Sequence, residues 1–389
     1  MLKLNKLLYK SGADSDVFLN RISPHPTKRT YLVGCKNKIR DHLKPQIRQA
    51  TKEILGMERV VEPRFRTQGS WSYDTCNEPA FTPPQEMDWD YGVYLPVTVW
   101  EENGPPHLMA KTYFELVERL LKSLCQKEGW TLLSGKDTCI RIQVASWAHI
   151  DLPLYAAPEA EFIKIRERIT MESASLKKAL DSADFSESYG DEQQQAWADL
   201  DRVVMATRKG EWKPSDPEVI ARWFGDRVDE SGEQLRRVCR YLKAWRDVQW
   251  QNGGPSSVSL MIAAVQNFTE NPGRDDLALE SVATHLADVF LLDLRELGID
   301  NGAEDFNRLT EIEREDASQR LQKLAGSLKN SRMLGVHLKD QAIRQLAQLL
   351  GHRVPDDANL VEPDTGAAGI RTISPTRVPP PVIPSTSAG

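Results

Sequence analysis

Residues 87–97 read MDWDYGVYLPV, and the alternation of side chains along this run predicts a β-strand. Side chains two positions apart on a strand point to the same face, so Asp88 and Asp90 should lie side by side. Two adjacent carboxylates repel one another unless a cation lies between them, and Mg²⁺ prefers such oxygen ligands. A D-x-D pair is also common on protein surfaces, so its surroundings must decide between a metal site and two solvated side chains.

The segments around this strand predict an α+β fold. Short β-prone runs punctuated by Gly, Ser, Pro and Asp extend over residues 63–99, and a helix is predicted over residues 110–129. Residues 130–158, which read WTLLSGKDTCIRIQVASWAHIDLPLYAAP, predict two or three further strands. The order of strand, helix and strands is typical of an antiparallel or mixed sheet that carries helices.

Helical patterns dominate the rest of the chain. Residues 1–60 are helix-prone and rich in Lys and Arg. Beyond residue 160, charged and apolar residues recur at spacings of three and four in these stretches: 161–180, 193–207, 234–250, 257–268, 277–297 and 311–350. We expect these helices to form a subdomain that packs against the sheet, with a weakly ordered stretch at residues 184–192.

The chain therefore divides into four predicted regions. They are an N-terminal helical region (1–62), a core sheet (63–160), a helical domain (161–360) and a Pro-rich tail (361–389). The tail is rich in Pro, Thr, Ser and Gly and shows no periodicity. Such a segment buries too little apolar surface to offset the entropy of ordering, so the tail is predicted to be disordered or extended.

The composition is that of a globular protein without an extended basic surface. The chain has 389 residues and a net charge of −6, which disfavours a protein that coats nucleic acid but allows a local cationic pocket. The five cysteines form no CxxC pair and the seven histidines no HExxH motif, so we expect reduced thiols and no zinc site. No apolar run approaches the roughly 20 residues of a membrane span, and we expect a cytoplasmic protein.

Two motifs in the predicted sheet favour a metal site at the D-x-D pair. Gly69 lets the backbone approach a ligand and turn its N–H groups toward an anion, and Ser70 adds a hydroxyl donor, although Gly-Ser is also an ordinary turn. Asp151 lies between Ile150 and Leu152 in an apolar run. A carboxylate there is costly unless it is paired or bound to metal, or unless it faces water from an edge strand.

The helical half supplies a basic and a hydroxyl group. Lys243 lies in LRRVCRYLKAWRDVQW, a strongly amphipathic helix, and GGPSS, which includes Ser257, precedes the next helix. A helix N-terminus binds anions, although a serine there is usually a cap and a helical lysine is often solvated. Together, the three carboxylates and these groups match a two-metal phosphoryl-transfer site that activates a 3′-hydroxyl and neutralises a leaving pyrophosphate.

The same residues carry a resemblance to a known family. Gly69-Ser70, Asp88-x-Asp90 and a distant Asp151 form the pattern of the polymerase-β-like nucleotidyltransferases. The segments PRFRTQGSWSYDTCNEP, QEMDWDYGVYLP, HIDLPLYAAP and LRRVCRYLKAWRDVQWQNGGPSSVSLM resemble the bacterial CD-NTases of CBASS anti-phage systems, most closely the DncV-like cyclic GMP-AMP synthases. The resemblance runs from about residue 63 to residue 264 and is weak in the first 60 residues and after about residue 267.

The resemblance implies a fold and a site. The fold is a polymerase-β-like nucleotidyltransferase sheet domain packed on a C-terminal helical domain, with the active site in the cleft between them. Asp88, Asp90 and Asp151 would be catalytic and would bind two Mg²⁺ ions, with Mn²⁺ as a possible substitute. The residues implied to contact nucleotide are Gln68, Gly69, Ser70, Tyr73, Arg141, Lys243 and Ser257.

The resemblance also implies a reaction in the bacterial cytoplasm. ATP and GTP would be joined, with release of pyrophosphate, into 3′,3′-cyclic GMP-AMP, a second messenger in anti-phage defence. The alternatives are cyclic di-AMP, another cyclic dinucleotide or a linear oligoadenylate. An interaction protein with an idle site is disfavoured because all three aspartates are present. Templated synthesis is disfavoured because the chain lacks the basic surface that holds a nucleic-acid strand. No stable nucleic-acid partner and no membrane partner are expected.

Three further expectations concern ligands outside the metal site. The family reads a base with a late acidic residue, and both Asp300 and Asp305 remain open for that role. Arg64 matches an arginine of the family's folate-type inhibitor site, but Arg66 replaces its aromatic residue, so we expect weak or no inhibition by folates. Gly389 has no side chain and ends a Pro-rich arm. The resemblance implies that it is a conjugation point for a ubiquitin-transfer-like enzyme.

Overall fold

The computed structural model describes residues 1–12, 15–98, 105, 107–160, 203–215 and 217–364. The predicted helix at 161–180, the weakly ordered stretch at 184–192 and nearly all of the predicted tail, including Gly389, lie outside these residues. The fold class is confirmed: a mixed sheet with helices is joined to a C-terminal helical half.

Ten strands and twelve α-helices make up the described part of the chain. The strands are β1 (Leu2–Lys3), β2 (Arg64–Thr67), β3 (Met87–Val97), β4 (Thr131–Leu133), β5 (Ile140–Ala145), β6 (Ala148–Leu152), β7 (Leu154–Pro158), β8 (Val204–Ala206), β9 (Trp212–Pro214) and β10 (Glu362–Pro363). The helices are α1 (Asn5–Leu8), α2 (Phe18–Arg21), α3 (Pro26–Glu53), α4 (Gly69–Ser72), α5 (His107–Glu128), α6 (Pro217–Ser231), α7 (Glu233–Gln249), α8 (Ser257–Gln266), α9 (Asp275–Val289), α10 (Leu297–Asp300), α11 (Glu311–Met333) and α12 (Lys339–Leu350).

Strand β3 organises the sheet. β6 and β7 continue one another past Pro153 and run parallel to β3 in a single register, with Met87 opposite Ala148 and Val93 opposite Leu154. β2 pairs antiparallel with the other edge of β3. β5 and β4 extend the sheet beyond β6, while β8 and β9 extend it beyond β7. The D-x-D run therefore lies at the start of the central strand, where β6 pairs with it along one edge.

Helices α3 and α5 cover the sheet and form its core. The buried residues of α3 recur at spacings of three and four, as in Leu32, Cys35, Ile39 and Leu43, so one face of the helix packs on the sheet. Each such side chain contributes about 1.5–3 kcal/mol when fully buried. The helix begins at Pro26, a position that needs no backbone donor.

The helical half has a second core centred on α7. Residues of the N-terminal segment, including Leu4, Leu7 and Phe18, pack into this core and not into that of the sheet. The Leu4 amide donates to Asp276 Oδ2 over 3.0 Å, which fastens the segment to the start of α9. Residues 1–62 thus contribute to both cores, and the division into four regions stays a prediction.

The structure corrects several predicted elements. The helix over 193–207 is wrong in its described part, because Val204–Ala206 forms strand β8 and pairs with β7. A short apolar run takes the conformation that its sheet partner imposes. Residues 130–158 form four strands, not two or three, because Pro153 interrupts the pairing and residues 146–147 form a turn. Residues 311–350 form two helices separated near Gly335.

In the part of the chain that the structure describes, no helix combines the length and apolar character needed to cross a membrane.

Candidate active site

The register of three neighbouring strands places six side chains in two rows on one face of the sheet. Asp88 lies opposite His149 and Asp90 opposite Asp151, and β5 adds a third residue to each row. Side chains two apart on a strand share a face, so the rows lie next to each other. The rows are Asp88, His149 and Gln143, and then Asp90, Asp151 and Arg141.

Aromatic packing fixes the strand that carries the first two aspartates. Trp89 points to the opposite face, is buried, and stacks on Trp71 with ring centroids 4.2 Å apart. The Trp71 Nε1–H also donates to the Asp88 carbonyl over 3.0 Å. The backbone of Asp88 is therefore held by the Trp71 ring while its side chain projects into the cleft.

Gly69 allows the chain to pass directly over Asp90. Its φ is +62°, and a Cβ at this position would lie 2.0 Å from Asp90 Oδ2. The preceding amide, that of Gln68, donates to the Asp90 carbonyl over 2.9 Å. Only glycine satisfies both the left-handed conformation and the contact, so the predicted Gly-Ser motif lies against the predicted carboxylates.

The carboxylates differ in charge state. Burial and the charges of Asp88 and Asp151 raise the pKa of Asp90 to about 7. Burial alone would also raise the pKa of Asp151, but its hydrogen bonds with Arg141 and Lys136 outweigh burial and lower it. Arg141 Nε lies 2.6 Å from Asp151 Oδ1, and Lys136 Nζ lies 2.7 Å from Oδ2. The neighbouring cations thus favour the ionised form of Asp151, whereas burial and the two neighbouring aspartates disfavour the ionised form of Asp90.

The donor set at the site fits a divalent cation. One ligand atom each from Asp88, His149 and Asp151 lie within 4.8 Å of one another. His149 Nε2 and Asp88 Oδ1 are 3.0 Å apart, a distance at which a protonated ring forms an ion pair with the carboxylate, and neither buried atom makes a hydrogen bond among the described residues. Buried polar atoms left without partners are costly, and a cation between them would satisfy both.

His149 is not among the predicted site residues, since no histidine pair in the sequence has metal-ligand spacing. The pattern that could have identified it is H-x-D on a strand in register with D-x-D. On the structure its Nδ1 lies 2.7 Å from Glu86 Oε2. Burial lowers the pKa of His149, but its contacts with Asp88 and Glu86 outweigh burial and raise it.

A cleft of about 500 Å³ opens in front of Asp88 and Asp90, with Asp151 outside its lining, and has walls from both halves of the protein. Seven of the predicted site residues line it: Gly69, Ser70, Tyr73, Asp88, Asp90, Lys243 and Ser257. Ser256 is the N-cap of α8 and accepts from the Ser259 amide over 3.0 Å, which leaves Ser257 on the cleft wall. The cleft also contains Asn77, Glu86, Arg246 and Trp250, none of which is predicted.

Lys243 is buried at the wall of the cleft. Its Nζ donates to the Thr75 carbonyl over 2.6 Å, and burial lowers its pKa to about 8. It therefore connects the helical half to the loop that follows Ser70, in addition to facing the cleft. The solvated lysine that an amphipathic helix also allows is not what the structure shows.

Two predicted residues lie elsewhere than expected. The Gln68 side chain is buried away from the cleft and donates to the Tyr94 hydroxyl over 2.6 Å. Arg141 reaches the site through Asp151 and is not on the cleft wall. The nucleotide contacts expected of these side chains are not supported by their positions.

Neither acidic residue left open for base recognition lies in the cleft. Asp300 accepts the amides of Gly302 and Glu304. Asp305 accepts the Leu294 amide and pairs with Arg314 over 2.8 Å. Both carboxylates stabilise turns within the helical half, so the structure favours neither for that role.

Comparisons with known proteins agree with this geometry. A family model for the nucleotidyltransferase domain of the DncV-like cyclic GMP-AMP synthases matches residues 63–155, and one for their C-terminal domain matches residues 232–363. The cyclic GMP-AMP synthase of Vibrio cholerae serotype O1 is 40% identical over 249 residues, which are 62% of this chain and 55% of that protein. An Escherichia coli cyclic GMP-AMP synthase is 44% identical over 209 residues, which are 52% of this chain and 47% of that protein. The chain spans about half the length of these curated relatives.

Solved structures of similar proteins share the fold. A variant of the Vibrio cholerae dinucleotide cyclase DncV, in complex with ATP, GTP and 5MTHFGLU2, has a TM-score of 0.74 and 26% identity, and covers 93% of this chain and 99% of that one. Escherichia coli DncV in its 3′-deoxy GTP bound form has a TM-score of 0.71 and 25% identity, and the match covers 93% of this chain and 100% of that one. The two matched domains carry the two walls of the cleft, and the chain belongs to the DncV-like nucleotidyltransferase family.

Proposed function

We propose that this protein is a metal-dependent nucleotidyltransferase that joins two nucleoside triphosphates into a cyclic dinucleotide. The observation that carries the proposal is the convergence of Asp88, Asp90 and Asp151 beside a cleft with Gly69 and Ser70 on one wall. Lys243 and Ser257 are on the opposite wall. A carboxylate face opposed by backbone amides, hydroxyls and a cation suits a triphosphate whose charge is shared between metal and protein.

Each wall has a separate task in the proposed reaction. The three aspartates hold the divalent cations, which, when bound, activate a 3′-hydroxyl and neutralise the leaving pyrophosphate. The amides at Gly69 and Ser70 bind phosphate oxygens, because glycine lets the backbone approach them. Ser257, at the first turn of α8, adds a hydroxyl donor near a helix N-terminus.

We propose ATP and GTP as the substrates and 3′,3′-cyclic GMP-AMP as the product. The solved structures of DncV in complex with ATP and GTP, and with the linear intermediate pppA(3′,5′)pG, support this choice. The same site chemistry could also produce cyclic di-AMP, another cyclic dinucleotide or a linear oligoadenylate, and these are the alternative products. Base choice depends on a few pocket contacts, so it is the part of the proposal that needs direct measurement.

The test is to incubate the full chain with all four nucleoside triphosphates and Mg²⁺ and to analyse the products by mass spectrometry. We expect one cyclic product with the mass of cyclic GMP-AMP, degraded completely by nuclease P1 because both linkages are 3′–5′. A cyclic product of another mass would contradict cyclic GMP-AMP as the product but would support the proposed reaction. Absence of any joined nucleotide under these conditions would refute the proposed activity.

Lys243→Ala is expected to raise the KM for nucleoside triphosphate about tenfold, because a cation that faces phosphate is lost. The same change removes the bond to the Thr75 carbonyl, so thermal unfolding is measured alongside the kinetics. Lys329→Ala, which alters an exposed lysine of α11, is the control. An unchanged KM in a folded Lys243→Ala protein would show that this lysine is structural only.

Folate-type pteridines are expected to inhibit weakly or not at all. Arg66 forms a buried ion pair with Glu218, with Nη2 2.6 Å from Oε2 and with side chains only 11% and 5% exposed. An arginine held in this way is not free to stack on a pteridine. Inhibition is measured against cyclic dinucleotide synthesis, with Arg66→Trp as the comparison. Tight, non-competitive inhibition of the unaltered protein would contradict this prediction.

The anti-phage role and the conjugation of Gly389 by a ubiquitin-transfer-like enzyme rest on the family resemblance and stay predictions. Gly389 lies outside the described residues. The predicted consequence is that Gly389→Glu abolishes higher-mass adducts in cells that carry the neighbouring genes, and persistence of the adducts would show that the glycine has no such role.

A further inference from the structure

A second cavity, of about 180 Å³, lies next to the cleft. Ser70 and Cys76 line both spaces, so residues 70–76 form the wall between them. Pockets that hold drug-sized ligands measure about 300–1,000 Å³. The second cavity is therefore too small for a whole nucleotide and has the size for a small ion.

Arg240 brings a fixed positive charge to this cavity. Its Nε donates to Asn77 Oδ1 over 3.1 Å, and its Nη2 donates to Ser23 Oγ over 2.8 Å and to the Cys76 carbonyl over 3.3 Å. These acceptors are neutral, and Arg240 forms no ion pair with any described residue. Burial lowers the pKa of Arg240. A partly buried charge without a counter-charge is costly, and an anion in the cavity would compensate it.

Arg29 adds a second guanidinium from the first turn of α3. Its Cζ lies over the Trp71 ring, 6.0 Å from the centroid, and its exposed side chain makes no hydrogen bond within the described ranges of the chain. The exposed Asp74 carboxylate also lines the cavity and would oppose an anion there. Two guanidinium groups against one carboxylate leave the cavity with a net positive charge.

We propose that this cavity is a subsite for a small phosphate-containing anion, and that pyrophosphate released from the cleft is the anion it takes. Guanidinium groups bind phosphate oxygens through paired N–H donors, and the cavity offers two such groups for the two phosphoryl groups of pyrophosphate. The Ser70 hydroxyl, which lines both spaces, lies on the path between them.

Only the choice of pyrophosphate rests on the proposed function. Each joining step forms a bond from a 3′-oxygen to an α-phosphorus and breaks the bond from that phosphorus to the leaving pyrophosphate. Closing a ring from two nucleoside triphosphates takes two such steps, so the first pyrophosphate must leave before the second triphosphate is attacked. A positive cavity beside the cleft gives that product a place outside the reacting site.

Calorimetric titration of the full chain with sodium pyrophosphate, in EDTA, tests the subsite without turnover. We expect Arg29→Gln to weaken binding about fivefold, because a charge-assisted contact is lost while an exposed side chain is changed. Asp74→Asn should strengthen binding roughly threefold, because the opposing charge is removed. Asparagine tolerates the φ of 55° at that position. Arg48→Gln, which alters an exposed arginine near the other end of α3, should change nothing.

Three results of this titration would overturn the subsite: no binding to the unaltered protein, unchanged binding in Arg29→Gln, or equal weakening by Arg48→Gln. Titration with inorganic phosphate separates the two anions. It should bind at least about fivefold more weakly than pyrophosphate, because it has one phosphoryl group for two guanidinium groups. Equal affinity would overturn the choice of pyrophosphate.

Steady-state synthesis separates released pyrophosphate from the terminal phosphate of a bound nucleotide. Arg29→Gln should raise the inhibition constant of added pyrophosphate about fivefold and change the KM for nucleoside triphosphate by less than about twofold. A parallel rise of both constants would show that the bound nucleotide reaches the cavity, and would overturn the assignment to the product. Pyrophosphate binding with the expected variant pattern, in a protein that joins no nucleotides, would support the anion subsite and refute the proposed activity instead.

Discussion

Asp90→Asn should lower the rate of cyclic dinucleotide synthesis by at least roughly a hundredfold while the protein stays folded. The amide has nearly the volume of the carboxylate but supplies no charge to a metal. Because burial and the charges of Asp88 and Asp151 raise the pKa of Asp90 to about 7, its ionised form destabilises the metal-free fold near neutral pH. Replacing it should therefore leave the free energy of unfolding unchanged or raise it.

The measurement pairs product quantification by mass spectrometry with thermal unfolding of the same samples. Asp41→Asn, which removes an exposed carboxylate from α3, is the matched control and should retain full activity. The double variant with Asp88→Asn added should make no detectable product. Normal product from that double variant would show that the metal site has been assigned to the wrong residues.

Gly69→Ala is the second change with a large expected effect. The added Cβ would lie 2.0 Å from Asp90 Oδ2 and 3.0 Å from its Cγ, so the Asp90 carboxylate must move. An alanine at φ +62° also carries a backbone cost of about 1–2 kcal/mol. We expect the rate of synthesis to fall at least about a hundredfold, because a shift of about 1 Å in a reacting group has that effect.

Gly56→Ala is the control that separates the cost of backbone strain from the effect of displacing the Asp90 carboxylate. Gly56 has φ +68°, and a Cβ there would meet nothing within 4 Å. Both variants should lose a similar amount of unfolding free energy from backbone strain, but only Gly69→Ala should lose synthesis. Equal activity of the two variants would mean that close packing of Gly69 on Asp90 is unnecessary for the reaction.

The strand that carries the first two aspartates could be predicted because its information is local. The run quoted at the outset, residues 87–97, is the whole of β3, and its alternation places Asp88 and Asp90 on one face. His149 could not be recognised in the same way, since its position beside Asp88 depends on the register between two strands far apart in the chain. The alternation of side chains within one strand does not determine which residue of another strand lies opposite.

The inward position of Gln68 has a similar origin. Its side chain occupies space that Gly92 on the neighbouring strand leaves open, because a Cβ at Gly92 would lie 2.4 Å from Gln68 Nε2. The same dependence on tertiary context explains β8, where pairing with β7 prevails over a weak helical pattern. Sequence periodicity predicts which faces are apolar, but neighbours decide which polar side chain turns inward.

The packing of the first residues has a consequence for how the cleft can open. Residues 2–22 belong mainly to the helical core and the described residues between 26 and 214 mainly to the sheet, so within these ranges the sheet half is an insertion into the helical half. Antiparallel pairing of Leu2 with Pro363 closes the helical half on itself. Within the described residues, two peptide crossings therefore join the halves, one before Pro26 and one before Pro217. Two crossings permit bending about the line between them and oppose a swivel, so we expect the Asp88 and Asp90 carboxylates to separate from Lys243, and to return, along one path.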